Sequence, residues 1–266
     1  LTILPQWVYS YLQYLQLPVQ QPTYSYLHAI YQSHLRRIPF ENITKIIQYP
    51  KVLQEQQWVP PVETFVDRLY QWKSGGNCFY QTYSLEQLLD QLGFQTSFRF
   101  FDPNHVVIQV DLDQSYLIDV GFNYPFLRPY RLNEPYQQTY LGDEVIYDYD
   151  PTIERWRLTR KMFGEITQKK VLYPEPLTWE EIIPFLEKSY DQKNRFMQNL
   201  YLNKIEEKRH ITLKNKTFIE RTPSGIEEIE LDDRDIDHIL KEEFQSPNLP
   251  WWQAVHILQS MLNVKW

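Results

Sequence analysis

The 266-residue chain holds one cysteine, Cys78, directly after Ser74-Gly75-Gly76-Asn77. A lone thiol serves either as a small buried hydrophobe or as a nucleophile. Its surroundings favour the second use. Of only seven glycines, two precede Cys78 and a third, Gly121, follows Asp119 and Val120. Glycine is costly in ordered backbone unless a positive φ or a close approach needs it. After Cys78, Leu85, Leu88, Leu89 and Leu92 fall on one helical stripe, and Gly93 stands where a C-terminal cap belongs. Cys78 is therefore predicted at the start of a helix. There the helix dipole favours a thiolate, and free N–H groups can hold an oxyanion.

A thiolate nucleophile wants a base. Of the six histidines, His28 and His34 lie on N-terminal helical patterns, and His210, His238 and His256 lie in the last third. None of these five has a Gly or Asp context, and each reads as structural or solvated. His105 opens the apolar strand Val106-Val107-Ile108-Gln109-Val110. The next strand is Tyr116-Leu117-Ile118-Asp119-Val120, after a polar turn. Paired as a hairpin, the two put His105 and Asp119 on one face, directly or diagonally opposed. An Asp between Ile118 and Val120 must have partners if buried. Cys78, His105 and Asp119 thus supply nucleophile, base and orienting carboxylate. The competing reading is a structural Asp119 capping the turn near Gly121, with His105 exposed at a strand start. No Cys pair, His-Glu-x-x-His motif or spaced His/Asp cluster suggests a metal, and no Rossmann fingerprint or P-loop is present.

The elements that must position these residues fall into three blocks. Residues 1–93 read as a helical part carrying the nucleophile, with helical spacing at Trp7, Tyr11, Tyr14 and Leu15 and again at Tyr26, Leu27, Ile30, Tyr31 and Leu35. Residues 94–195 read as mostly short strands carrying His105 and Asp119, with one helix from Thr178 to Leu186. Thr178 and Glu181 there can form a capping box. Residues 196–266 read as a small α/β part: a meander over His210–Leu213, 216–221 and 226–231, an acidic helix to Phe244, and an apolar end from Trp251 to Trp266.

The formal net charge of -7 argues against broad nucleic-acid or membrane-surface binding, though a local basic cluster can still hold one anionic ligand. No apolar run approaches a membrane helix. The start shows no basic region followed by an apolar stretch, and one cysteine forms no internal disulfide. These features point to a cytoplasmic location.

Four of these segments resemble motifs of the arylamine N-acetyltransferase family, in the family's order. Ile38-Pro39-Phe40-Glu41-Asn42 resembles its Pro-Phe-Glu-Asn stretch. Ser74-Gly75-Gly76-Asn77-Cys78 resembles Arg-Gly-Gly-x-Cys. His105 resembles the strand-opening His, and Asp119-Val120-Gly121-Phe122-Asn123 resembles Asp-Val-Gly-Phe-Gly. The resemblance implies an α+β fold of N-terminal helical bundle, central β-barrel and C-terminal α/β lid, with a papain-like Cys-His-Asp site between the first two. It implies a ping-pong reaction in xenobiotic metabolism. Acetyl-CoA acylates Cys78, coenzyme A leaves, and the nitrogen of a small aromatic amine or hydrazine takes the acetyl group. Phe40 and Phe122 would line the acceptor pocket, and the backbone at Gly121 and Asn123 would lie near coenzyme A.

The chain also departs from the family. Ser74 replaces the Arg that pairs with the motif Glu, so Glu41 needs another partner, for which Lys73 is a candidate. Tyr80 stands where an acid or amide is usual, and Asn123 replaces the second motif glycine. Only 27 positions separate Cys78 from His105, fewer than the family norm. These departures keep three other readings open: a related thiol acyltransferase or amide synthase with another donor, a papain-like hydrolase, and a pseudoenzyme that binds aromatic ligands.

Overall fold

A computed structural model describes residues 3–122 and 126–263. The helical part comprises α1 (Gln6–Leu15), α2 (Tyr24–Arg37), α3 (Ile43–Glu55), α4 (Val62–Trp72) and α5 (Cys78–Gln91), with the two-residue strand β1 (Phe40–Glu41) between α2 and α3. The strands β2 (Gln95–Asp102), β3 (His105–Asp111), β4 (Ser115–Ile118), β5 (Tyr130–Arg131), β6 (Tyr136–Tyr140), β7 (Asp143–Asp150), β8 (Arg155–Met162) and β9 (Glu165–Leu172) follow. Then come α6 (Trp179–Ser189), β10 (Tyr201–Ile205), β11 (His210–Lys214), β12 (Thr217–Thr222), β13 (Gly225–Glu230), α7 (Asp233–Glu242) and α8 (Trp251–Leu262).

Among the described residues, the antiparallel order β5-β4-β3-β2-β9-β8-β7-β6 forms a nearly closed barrel. Its open seam lies between β5 and β6. Aromatic rings fill the barrel there: Tyr130 packs against Tyr136 and Tyr147, with centroids 5.3 and 5.1 Å apart. The Tyr147 hydroxyl donates to the Leu132 carbonyl at 2.7 Å, which gives the buried polar tip its partner. The α+β class with helices and barrel is as the sequence predicts.

The second sheet, β1-β10-β11-β12-β13, is not confined to the C-terminal part. Phe40 pairs with Asn203 and Glu41 with Leu202. Asn42 extends this junction. Its side chain donates to the carbonyls of Phe196 and Asn199, each at 2.7 Å, and accepts from the Tyr201 N–H at 2.7 Å. On the other side, the Glu41 N–H donates to the Gly76 carbonyl at 3.0 Å, just before Cys78. One short motif thus joins the nucleophile loop to the C-terminal sheet.

Helix α5 is the hub of the packing, touching α1, α4, β2 and β3. Leu85, Leu88 and Leu89 are fully buried in the core beneath the barrel and helices. Each contributes about 1.5–3 kcal/mol. The first turn of α5 enters a second core instead, through Phe79 and Tyr80, with α3, α6 and α8. The helix is pinned along its whole length, so its N-terminus has a fixed position. Trp251 is buried in this second core and the Trp252 indole donates to Asp237 at 2.8 Å. The C-terminal helix lies over α3, and neither Trp lines the cavity beside Cys78. Trp266 lies outside the described residues.

Among the described residues, no helix is long and apolar enough to cross a membrane.

Asn42→Ala leaves three part-buried backbone groups without their partner. The expected loss is about 3 kcal/mol of stability, read from the midpoint of urea unfolding at unchanged slope.

Candidate active site

Cys78 is the first residue of α5 and partly exposed. Asn77 is the N-cap, and its side chain accepts from the Tyr80 N–H at 3.2 Å. The loop before it is clamped from below. The Gln81 amide donates to the Pro39 carbonyl at 3.1 Å and the Gly76 carbonyl at 2.9 Å, and its oxygen contacts the His34 ring at 3.0 Å. Gly75 lies so close to the preceding motif that a Cβ there would sit 2.2 Å from the Ile38 side chain. That close approach is why the sequence has glycine.

Asp119 follows the end of β4 and is completely buried. In the hairpin Ile108 faces Ile118, so continuing the register sets Asp119 opposite Val107, diagonal to His105 and on the same face. The Asp119 Oδ2 contacts His105 Nε2 at 2.7 Å. Its Oδ1 accepts from the N–H groups of Gly121 and Phe122 at 3.2 and 3.1 Å. Its backbone carbonyl accepts from the Tyr31 hydroxyl at 3.0 Å. Asp119 thus caps the turn with one oxygen and contacts the His105 ring with the other, and that ring is buried rather than exposed at the strand start.

The His105 ring and the Cys78 side chain line the same cavity, and the cysteine favours the charged form of the ring. Burial works against the imidazolium, but the charge and hydrogen bond of Asp119, followed by those of Cys78, outweigh it and raise the His105 pKa to about 9. Gly121 completes the arrangement. A Cβ there would lie 2.3 Å from Cys78 Cβ and 2.4 Å from Cys78 Cα. Only a glycine lets the strand end meet the helix start.

These residues open on a cavity of about 370 Å³. Phe40, Phe79, Phe122 and Phe196 supply aromatic walls, so both predicted acceptor-pocket rings are present. The Phe122 ring packs 5.3 Å from His105 and Phe40 packs 5.6 Å from Phe196. Gly121 lines the cavity, and Asn123 lies outside the described residues. Lys169 and Lys170 from β9 and Arg195 from the segment after α6 also line it. Lys45 of α3 and Ser189 of α6 line it too. Sequence reasoning missed all of these. Lys45 alone carried a signal, as a lysine inside the apolar stretch Ile43-Thr44-Lys45-Ile46-Ile47.

The departures from the family pattern find local partners. Glu41 does not use Lys73, whose ammonium lies over the Tyr14 ring at 5.1 Å. The hydroxyls of Ser74 and Thr44 donate to Glu41 Oε1, each at 2.7 Å, and the Thr44 N–H donates to Oε2 at 2.8 Å. Tyr80 is fully buried and shares a 2.5 Å hydrogen bond with the Tyr190 hydroxyl. The short interval to His105 reflects a tight turn, since β2 ends at Asp102 and β3 begins at His105. Among the described residues, no group of three or more His, Cys, Asp or Glu side chains could hold a metal ion.

Helices, barrel and second sheet thus enclose one cavity that holds Cys78 and His105. The family profile described as N-acetyltransferase matches residues 23–247. A curated arylamine N-acetyltransferase of Mycolicibacterium smegmatis is 30% identical over 150 residues, 47% of this chain and 52% of that protein. The chain thus matches about half the length of that relative. The crystal structure of arylamine N-acetyltransferase from Salmonella typhimurium superposes with a TM-score of 0.78 at 17% identity, over 97% of this chain and 100% of the other. That of Mycobacterium marinum arylamine N-acetyltransferase in complex with CoA gives 0.77 at 18% identity, over 95% and 98%. The chain belongs to the arylamine N-acetyltransferase family.

Gly121→Ala forces the Cys78 helix start away from the Asp119 turn. It should cost about 1–3 kcal/mol of stability and slow turnover by roughly 10²-fold. Unfolding and single-turnover rates measured on the same preparation check both.

Proposed function

We propose that the protein moves an acetyl group from acetyl-CoA to the nitrogen of an arylamine or hydrazine, through a thioester on Cys78. One observation carries this reading. A helix-start cysteine shares a cavity with an imidazole bonded to a buried carboxylate, between aromatic walls and cationic side chains. The aromatic walls suit a flat amine. Lys169, Lys170 and Arg195 suit the phosphates of coenzyme A, the ligand bound by the Mycobacterium marinum relative.

The Cys78 thiolate attacks the acetyl carbonyl. The Tyr80 N–H is taken by the Asn77 side chain and the Gln81 N–H by the Asn77 carbonyl. Among the described residues no acceptor takes the N–H groups of Cys78 and Phe79, so these donors face the developing oxyanion. The C–S bond to coenzyme A breaks as His105 gives its proton to the departing thiolate. The amine then attacks the thioester, His105 takes its proton, and the Cys78 thiolate leaves. Asp119 keeps the ring aligned through both steps. The backbone at Gly121 borders the coenzyme A approach.

A second reading, transfer of a different acyl group, is favoured by the tight turn between β2 and β3. It leaves only Pro103 and Asn104 between the strands, and Asn104 is the turn residue at the cavity wall.

Intact mass after brief mixing with acetyl-CoA alone tests the proposal. Wild type should gain one acetyl group and lose it on adding an arylamine or hydrazine. Cys78→Ala should gain none. Asp119→Asn should acylate roughly 10²-fold more slowly or worse. Acetylation of Cys78→Ala would refute the thioester. A wild type modified only by longer acyl thioesters would establish the second reading.

A further inference from the structure

Lys45 is a buried cation without a carboxylate. Its side chain belongs to a residue only 2% exposed, yet it borders the cavity that holds Cys78. Two of its three N–H bonds go to Ser189, to the carbonyl and to Oγ, each at 2.7 Å. Its ammonium lies 4.4 Å from the centre of the Tyr190 ring. These partners offer a helix C-terminus, a hydroxyl and a ring face, which carry partial charges only. The carboxylate nearest in the chain, Glu41, is already held by Ser74 and Thr44. Among the described residues no Asp or Glu forms an ion pair with Lys45.

Burying an ammonium without a counter-ion is costly. Burial pushes the Lys45 pKa down to about 7, and the nearby negative charge of Cys78 offsets only part of that. An arrangement of this kind is complete when an anion enters from the cavity and takes the third N–H. Ser189 and Tyr190 hold the ammonium in place beforehand, so little side-chain freedom remains to be lost on binding. The other lysines and arginine at the cavity, Lys169, Lys170 and Arg195, raise the local preference for negative charge.

We propose that Lys45 recognises a carboxylate on the substrate seated against Cys78, carried either by the acyl group or by the amine. This inference rests on the acyl-transfer reading of the cavity and narrows its substrates to acidic ones.

The test compares alkylation of Cys78 by iodoacetate and iodoacetamide, two reagents of similar shape and different charge. Measured on the full chain, the iodoacetate-to-iodoacetamide rate ratio should fall tenfold or more in Lys45→Met. A second measurement needs no variant. On wild type, 4-aminobenzoate should protect Cys78 from iodoacetamide at concentrations at least tenfold lower than 4-aminobenzamide. Two transfer series then locate the carboxylate. A preference for malonyl-CoA over acetyl-CoA, lost in Lys45→Met, assigns it to the acyl group. A preference for 4-aminobenzoate over 4-aminobenzamide, lost in that variant, assigns it to the amine. If no thioester acylates Cys78, the acyl-transfer reading falls, while the alkylation ratio and the protection still decide the role of Lys45. An unchanged alkylation ratio in folded Lys45→Met overturns the proposal, as does equal protection by the charged and neutral amines together with no preference for malonyl-CoA over acetyl-CoA.

Discussion

The structure of the site depends on how one buried carboxylate distributes its bonds. Asp119 has no exposed surface. An ionised carboxylate in such a place is tolerable only with several good donors. Two backbone N–H groups fold the turn that brings Gly121 against Cys78. The His105 ring takes the other oxygen. The Asp119 carbonyl receives Tyr31 from α2. Helical part, barrel hairpin and nucleophile are therefore fixed relative to one another through a single residue. The same bonds that satisfy the buried carboxylate hold the His105 ring on which the proposed chemistry rests.

The other buried histidines show what Asp119 contributes. His34 is buried beside Tyr11 and Gln81, and burial lowers its pKa to about 4 even though the Gln81 bond works the other way. His210 is also buried; desolvation, then Arg221 and Arg160, lower it to about 3. Among the described residues, neither has a carboxylate partner. His105 is as buried as these and moves in the opposite direction. Desolvation is the largest single influence on each ring, so the difference comes from the adjacent negative charges. At His34 a neutral amide is too weak to win. At His105 an aspartate and a cysteine together are enough.

How much of this was legible in the sequence follows from which interactions are local. The helix after Cys78 and the hairpin joining His105 to Asp119 are short-range patterns of period 3.6 and 2, and they were readable. The two-residue strand at Phe40-Glu41 was not. It exists because β10, far along the chain, supplies its partner, and Asn42 locks that pairing. Lys45, Lys170 and Arg195 meet at the cavity from three separate segments, and no spacing rule links them. Gly121 was noticed as a glycine near an aspartate, but its reason, contact with Cys78 from the other half of the site, is tertiary. The loss of the motif arginine at Ser74 looked like a gap. Two hydroxyls and an N–H fill it, a solution that avoids desolvating a guanidinium and that only the packed structure displays.

The central claim is that Asp119 holds His105 as an aligned imidazolium beside Cys78. The titration of the His105 ring, followed by nitrogen-15 NMR on wild type and Asp119→Asn, tests it most directly. The account predicts a wild-type pKa of about 9 and a fall below the ordinary histidine value in Asp119→Asn, where burial is left with weaker opposition. A wild-type ring that titrates near or below the ordinary value, or one unmoved by Asp119→Asn, would contradict the account.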